Sequence, residues 1–305
     1  MVTVNNSFSF PEDLREEYPF KQNNYTTKQG FNLNYIDVGH KDSLNVIVMV
    51  HGNPTWSFYY RNLVKSLENN FRVIVPDHIG CGLSDKPQNF NYTLENHINH
   101  LEQLIESIRP NNVHLVVHDW GGAIGMGYAT RHADKVRSIV FLNTAAFRNH
   151  EIPSSISICK LPWIGEKIVR TFNAFAWPAT FMAVEKKLSP LVKKGYLFPY
   201  NNYNNRIATA RFVKDIPLTK DHPSYDKLLD IESKLRTLTC PKLFLWGAKD
   251  FCFTTNFLNK WKEFYPEAKS VIYQEGGHYI LEDEKDNVIK EANRFFMENS
   301  NLQYH

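Results

Sequence analysis

The chain has 305 residues, 43% of them apolar and 14% aromatic, enough for one large α/β domain with an insertion or for two domains. A net charge of +3 is too small to mark a nucleic-acid binder, and no stretch approaches the roughly 20 consecutive apolar residues that span a bilayer. Cys81, Cys159, Cys240 and Cys252 have neither metal-finger nor paired disulfide spacing, and the first twenty residues lack the basic start and apolar run of a secretion signal. A soluble cytoplasmic protein that works without metal or other cofactor is the expectation.

In chain order, residues 33–38 read as an early strand, and 46–50 (VIVMV), 73–75 and 113–118 as continuous apolar strands. Residues 139–142, 243–246 and 271–274 read the same way. Runs that are apolar on both faces are what a parallel sheet covered by helices requires. Residues 95–108, 122–131 and 287–297 carry helical spacing. The alternation breaks between about 146 and 229, a segment rich in proline, aromatic and basic residues. It reads as a helical cap inserted into a core made of residues 1–145 and 230–305. Residues 146–230 hold 13 Lys plus Arg against 7 Asp plus Glu. An ordinary solvated surface accounts for that excess; a docking face for an acidic partner or a membrane surface is the second reading.

The most informative motif is Val117-His118-Asp119-Trp120-Gly121-Gly122, where a strand turns sharply into a helix. Such a turn lifts one side chain out of the sheet and aims the next backbone N–H at it. A carboxylate there is a poor acyl-transfer nucleophile, because the anhydride it would form is less stable than the ester attacked. It suits displacement at a saturated carbon, which leaves an alkyl-enzyme ester that water can cleave. An aspartate in this place also fits a plain helix N-cap. His51-Gly52-Asn53-Pro54 follows the strand at 46–50. The Asn53 amide and the Trp120 indole N–H are candidate donors for a departing anion: halide, carboxylate or alkoxide. Each also has an ordinary reading, as a turn residue and a core aromatic. Gly276-Gly277-His278 follows the last strand and offers a general base. The strand at 243–246 runs on to Asp250, placed to orient His278. The chain order is nucleophile, acid, histidine. His118 is expected to face away from the pocket, and Asp77 and Asp85 to serve the structure of their loop. No G-x-S-x-G sits at a strand-to-helix turn.

Together HGNPTW, VPDHIGCGLSDKP, VVHDWGG, LNTAAF, WGAKDFCF and GGHYILED resemble the haloalkane dehalogenases of the α/β-hydrolase superfamily, in the subgroup whose triad acid follows the seventh strand. The resemblance runs from about residue 30 onward. It implies an α/β-hydrolase fold, with Asp119 as nucleophile, His278 as base, Asp250 as acid and Asn53 with Trp120 holding the halide. The same motifs occur in the β-lactone decarboxylases of olefin biosynthesis, whose cap also resembles IVRTFNAFA and PYNNYNNRIATARFVKDIPL. Hydrolysis of an alkyl halide is the leading expectation and β-lactone decarboxylation the alternative; the basic cap is a candidate dock for a partner enzyme. An epoxide hydrolase would need two cap tyrosines, for which Tyr196, Tyr200 and Tyr203 are candidates, but Asn53 stands where that family carries an aromatic. A non-catalytic binding protein of this fold would be expected to have a damaged triad. Phe172, Phe175, Trp177, Phe181 and Phe198 are the cap residues expected to help line an apolar pocket for a small apolar substrate.

Overall fold

The apolar runs become the middle of one eight-stranded sheet. The computed structural model describes residues 10–149 and 152–300, so the start of the segment read for a secretion signal and positions 150–151 of the cap lie outside the described residues. The strands are β1 (Gln22–Thr26), β2 (Asn32–Val38), β3 (Asn45–Val50), β4 (Arg72–Pro76), β5 (Asn112–Asp119), β6 (Val136–Thr144), β7 (Lys242–Gly247) and β8 (Lys269–Tyr273). Their spatial order is β1-β2-β4-β3-β5-β6-β7-β8. β2 is antiparallel to both β1 and β4, and every other pairing is parallel. The expected mostly parallel α/β-hydrolase sheet is therefore present. β1 is the strand that sequence reading missed. QNNYT has no apolar run, because it is a partly exposed edge strand paired on one side only.

Alternate side chains of the central strands enter two separate cores. Val46, Val48 and Val50 join Val113, Leu115 and Val117 on one face, beneath α2 (Leu94–Ile108), α3 (Trp120–Arg131) and α10 (Thr255–Phe264). Ile47 and Met49 join Val116, Val140 and Leu245 on the other, beneath α1 (Arg61–Leu67) and α12 (Lys285–Asn299). A short α11 (Ile280–Asp283) leads into α12. Helix α2 starts where it does because the Thr93 hydroxyl accepts the Asn96 N–H, the usual N-cap bond.

Between β6 and β7 lie α4 (Ser154–Lys160), α5 (Ile164–Phe172), α6 (Ala176–Met182), α7 (Pro190–Leu197), α8 (Ile207–Lys214) and α9 (Tyr225–Lys234), with no strand among the described residues. Ile207, Ala208 and Phe212 of α8 and Leu228 and Ile231 of α9 join the core on the α2–α3 side. The inserted segment is thus rooted in the main hydrophobic cluster. Among the described residues no helix is long and apolar enough to cross a membrane.

The order of the strands sets where a ligand can enter. From β3 the chain moves outward to β4, then jumps back across β3 to begin β5. Loops leaving the C-terminal ends of β3 and β5 therefore diverge, and the crevice between them is where open α/β sheets bind ligands.

Burial of histidine is a second consequence of the packing. Removal from water holds the His51, His100 and His114 rings down at about 4. Above the ordinary value of about 6.5 these rings are neutral folded or unfolded and add no pH dependence. Below it the unfolded chain takes up protons that the folded chain refuses, so stability falls as pH drops from about 6.5 towards 4. By about pH 5 each ring costs up to roughly 2 kcal/mol. Thermal unfolding followed by circular dichroism should show the midpoint falling steadily between about pH 7 and pH 5; a flat midpoint would contradict it.

Candidate functional site

Asp119 closes β5 and opens α3 with φ 50° and ψ −126°, a conformation that non-glycine residues seldom occupy. The turn is possible only because its neighbours are small. A Cβ on Gly121 would lie 1.9 Å from the Val50 carbonyl oxygen, and one on Gly52 would lie 2.0 Å from Asp119 Oδ1. From behind, the Thr144 hydroxyl donates to the Asp119 carbonyl at 2.5 Å. The carboxylate is left facing the crevice, where the Asn53 N–H donates to Oδ1 at 2.5 Å.

His278 sits in the loop after β8. Its Nδ1 is 2.8 Å from Asp250 Oδ2, and its Nε2 is 3.8 Å from Asp119 Oδ2. The first distance is a hydrogen bond; the second is too long for one. Asp250 is fixed in turn by the N–H groups of Cys252 and Phe253, which donate to its Oδ1 at 2.6 and 3.0 Å. Asp119, His278 and Asp250 thus converge, with His278 between the two carboxylates.

Electrostatics match that order. Burial is the largest influence on Asp119 and raises its proton affinity, while His278 and the N–H groups of Asn53 and Trp120 pull the other way; the net direction is up. Burial alone would lower His278, but the charges of Asp250 and Asp119 outweigh it and raise the imidazole above its ordinary value. An imidazolium formed here is flanked by a carboxylate on each side.

The two expected anion donors also reach the site. Asn53 and Trp120 line the same cleft as Asp119 and His278. One N–H of the Asn53 amide is committed to the Thr209 carbonyl of α8 at 3.1 Å, which leaves the second N–H to serve a ligand. Trp120 packs against Phe212, with ring centroids 5.3 Å apart, and its indole N–H has no acceptor among the described residues. Thr209 was invisible to sequence reading, because it acts through its backbone carbonyl. So was Phe253, whose ring stacks on His278 at 5.7 Å and 19°. His118 does point away from the cleft: its Nε2 lies 2.9 Å from the His278 carbonyl oxygen and its ring stacks on Tyr59. Asp77 accepts from Asn34, Ser57 and Leu83, and Asp85 from the Asn32 N–H, so both serve loop structure.

The cleft is open at its mouth, and its walls are mostly apolar. Cap residues on its walls include Ile156, Phe175, Pro178, Met182, Val213 and Ile216. Of the five cap aromatics expected there, only Phe175 lines it. Phe172, Trp177 and Phe181 turn outward into solvent, and Phe198 packs on Phe10 at the other end of α7. Helix α6 is apolar on two faces, and the sequence does not say which one faces inward. None of the three cap tyrosines lines the cleft. Tyr196 donates to Glu282, Tyr200 to the Thr55 carbonyl, and Tyr203 lies under the Arg170 guanidinium. The requirement for epoxide protonation is therefore unmet. Among the described residues, the one acid–histidine group tight enough for a cation is Glu102, Glu106 and His132; it lies outside the cleft lining and Glu102 is already paired with Arg131.

Comparison with known proteins agrees with this arrangement. The alpha/beta hydrolase fold family matches residues 45–285. The chain is 44% identical over 292 residues to a cis-3-alkyl-4-alkyloxetan-2-one decarboxylase of Shewanella oneidensis, covering 93% of this chain and 91% of that one. It is 28% identical over 275 residues to haloalkane dehalogenase 2 of Mycobacterium bovis, covering 89% and 93% of the two chains. A solved haloalkane dehalogenase from Bradyrhizobium elkani superposes with a TM-score of 0.84, covering 93% of this chain and 100% of the other, at 22% identity, a level that speaks for the fold alone.

The crowding at the elbow carries its own test. Gly52→Ala places a methyl group on the Asp119 carboxylate, so turnover should fall at least about 100-fold, as for a misplaced reacting group. The far-ultraviolet circular dichroism should stay that of the parent. Turnover within about twofold of the parent would show that the carboxylate position is not critical.

Proposed function

Because the chain belongs to the alpha/beta hydrolase fold family, and is an enzyme of that family related to the haloalkane dehalogenases, we propose that Asp119, His278 and Asp250 form a catalytic triad. In this reading Asp119 displaces an anionic leaving group from a saturated carbon. The observation that carries the proposal is the Asp119 carboxylate itself, held at a strand-to-helix elbow within reach of His278 Nε2 and beside two free N–H donors. Residues 146–229 form the cap over this site, with α9 continuing into the core. No metal or other cofactor is required for the steps below.

We favour a cis-3,4-dialkyl β-lactone as substrate. Two features support it: the greater identity to the decarboxylase than to the dehalogenase, and a mostly apolar cleft, suited to alkyl arms, that closes over Asp119 and His278. Asp119 Oδ attacks the saturated ring carbon bonded to the ring oxygen, not the carbonyl carbon. That C–O bond breaks, a C–O bond to Asp119 forms, and the ring opens to a carboxylate that the Asn53 and Trp120 N–H groups receive. The bond between the neighbouring ring carbon, which carries the other alkyl arm, and that carboxylate then breaks and CO2 leaves. Its electron pair forms the C=C bond and expels Asp119 as a carboxylate. No water is consumed. Attack from the face opposite the ring oxygen followed by anti elimination keeps the two alkyl chains cis.

The second reading is hydrolysis of an alkyl halide, supported by the dehalogenase relative and by the same donor pair. Halide departs to Asn53 and Trp120, and His278 then takes a proton from the water that attacks the Asp119 ester carbon. Asp250 stabilises the resulting imidazolium.

These readings differ in what happens to the oxygens of Asp119. Turnover in 18O-water should label the Asp119 carboxylate if a bromoalkane is hydrolysed, because water attacks its carbonyl carbon. Turnover of the lactone should leave it unlabelled while alkene and CO2 accumulate. Peptide mass spectrometry with product analysis decides between them, and formation of neither alkene nor bromide would remove both. Trp120→Phe keeps a ring but removes the indole N–H. It should cost about 2–4 kcal/mol of transition-state stabilisation, the usual effect of losing one oxyanion donor. An unchanged kcat/KM would rule out the anion-site role.

A further inference from the structure

The cap carries an exposed apolar surface that the reaction does not use. Helices α4 and α5 pack together, and the turn between them presents Leu161, Trp163 and Ile164 to solvent. Trp163 is 94% exposed and stands at φ 63°, so a bulky ring is held outward by a strained backbone. Phe172, at the end of α5, is 75% exposed, and Trp177 and Phe181 on α6 are each 50% exposed. Scattered apolar residues are ordinary on a surface, but large aromatic ones grouped on one small insertion are not.

The helices that carry the patch also carry cleft wall. Helix α4 turns Ile156 and Cys159 towards the cleft and Leu161 follows it outside; α6 turns Pro178 and Ala179 inward and Trp177 and Phe181 outward. Met182 belongs to both surfaces, since it lines the cleft and is 45% exposed.

Charge indicates the occupant. Residues 146–230 carry 13 Lys plus Arg and 7 Asp plus Glu; Arg148, Lys186, Lys194 and Lys227 are paired with acids of the core, so the cations that count for this face are those beside the exposed aromatics. Lys167 is exposed on α5 beside the apolar turn. Lys193 lies over the rings of Trp177 and Phe181, at 5.4 and 6.0 Å from their centroids. The acid on α5, Glu166, is already neutralised by Arg170 and Arg211. Tryptophan and phenylalanine with lysine beside them form the pattern that seats in the headgroup layer of a bilayer, and the lysines favour an anionic surface.

We propose that this face of the cap docks on a lipid bilayer containing anionic headgroups, with Trp163 and Phe172 entering the interface. Docking sets the apolar mouth of the cleft against the lipid, so a poorly soluble alkyl substrate passes from membrane to active site without crossing water; that last clause rests on the apolar substrate proposed above. The docking itself needs no turnover, so it stands or falls separately from the proposed reaction.

The test uses the full chain and vesicles of phosphatidylcholine alone or mixed with phosphatidylglycerol. Sedimentation should carry the protein down with the mixed vesicles, less with phosphatidylcholine alone, and less again as salt is raised. Trp163→Ser with Phe172→Ser, both at exposed positions outside the cleft lining, should lower partitioning by about tenfold or more, the effect of losing two interfacial aromatics. The same variant should keep the parent's turnover of a short, soluble substrate. No sedimentation with the anionic vesicles, or sedimentation unchanged in the double variant, overturns the proposal. So does self-association without vesicles that the double substitution abolishes, because the face then belongs to a second copy of the chain.

Discussion

Everything at this site depends on how closely the start of α3 approaches the end of β3. The N-terminal turn of the helix lies against the Val50 carbonyl with no space for a Cβ on Gly121, and the Asp119 carboxylate lies against Gly52 with none there either. That contact forces Asp119 to φ 50°, an unfavourable conformation for a residue with a side chain. The strain is sustained by the two parallel pairings of β5, with β3 and β6, and by the buried cores on both faces of the sheet. In return the carboxylate projects above the sheet at the switch in strand order, the one place where neighbouring loops part and leave room for a ligand.

Burial then governs the chemistry that the carboxylate can do. In an apolar cleft an ionised Asp119 has lost its hydration, which raises its proton affinity and would quench it as a nucleophile. Backbone N–H groups from Asn53 and Trp120 and the nearby imidazole oppose that loss. They do so with fixed groups rather than mobile water, so the carboxylate sits in a preorganised polar setting. His278 is placed the same way. Asp250 holds its Nδ1 and leaves Nε2 turned towards Asp119, and the Asp250 carboxylate is itself pinned by two backbone N–H groups. The stacking of Phe253 on the imidazole limits its rotation.

Legibility in the sequence followed a physical divide. Asp119, Asn53, His278 and Asp250 lie where apolar strands stop, and glycines beside several of them mark tight turns; their side chains are polar residues in apolar surroundings. Such residues stand out in a one-dimensional reading. Trp120 was readable only through its place next to the elbow. Contacts made through backbone left no trace, as with the Thr209 carbonyl that holds Asn53. Edge strand β1 was lost because a half-exposed strand needs no apolar run. The cap aromatics were misassigned for a related reason. Phe172, Trp177 and Phe181 have the composition of pocket walls, but α6 carries apolar residues on more than one face and Phe172 stands exposed at the last residue of α5.

The Asn53–Thr209 bond suggests why one core can serve two reactions. Asn53 belongs to the sheet, yet its side chain is held by a carbonyl of α8, a helix of the cap. Asp119, His278 and Asp250 all come from the strand ends and loops of the sheet, so their places do not depend on the inserted helices. Much of the cleft wall and the orientation of the Asn53 amide come from the inserted helices. A change in the cap therefore alters substrate shape and leaving-group stabilisation together, without disturbing Asp119. A bulky cap that leaves a wide apolar cleft suits a substrate with two alkyl arms whose leaving group remains attached until CO2 departs. A tighter cap over the same carboxylate suits a small alkyl halide, whose leaving group must be released before water can reach the ester. The difference between decarboxylation and hydrolysis then reduces to whether the opened intermediate carries its own electron source, the tethered carboxylate, or waits for a water activated by His278.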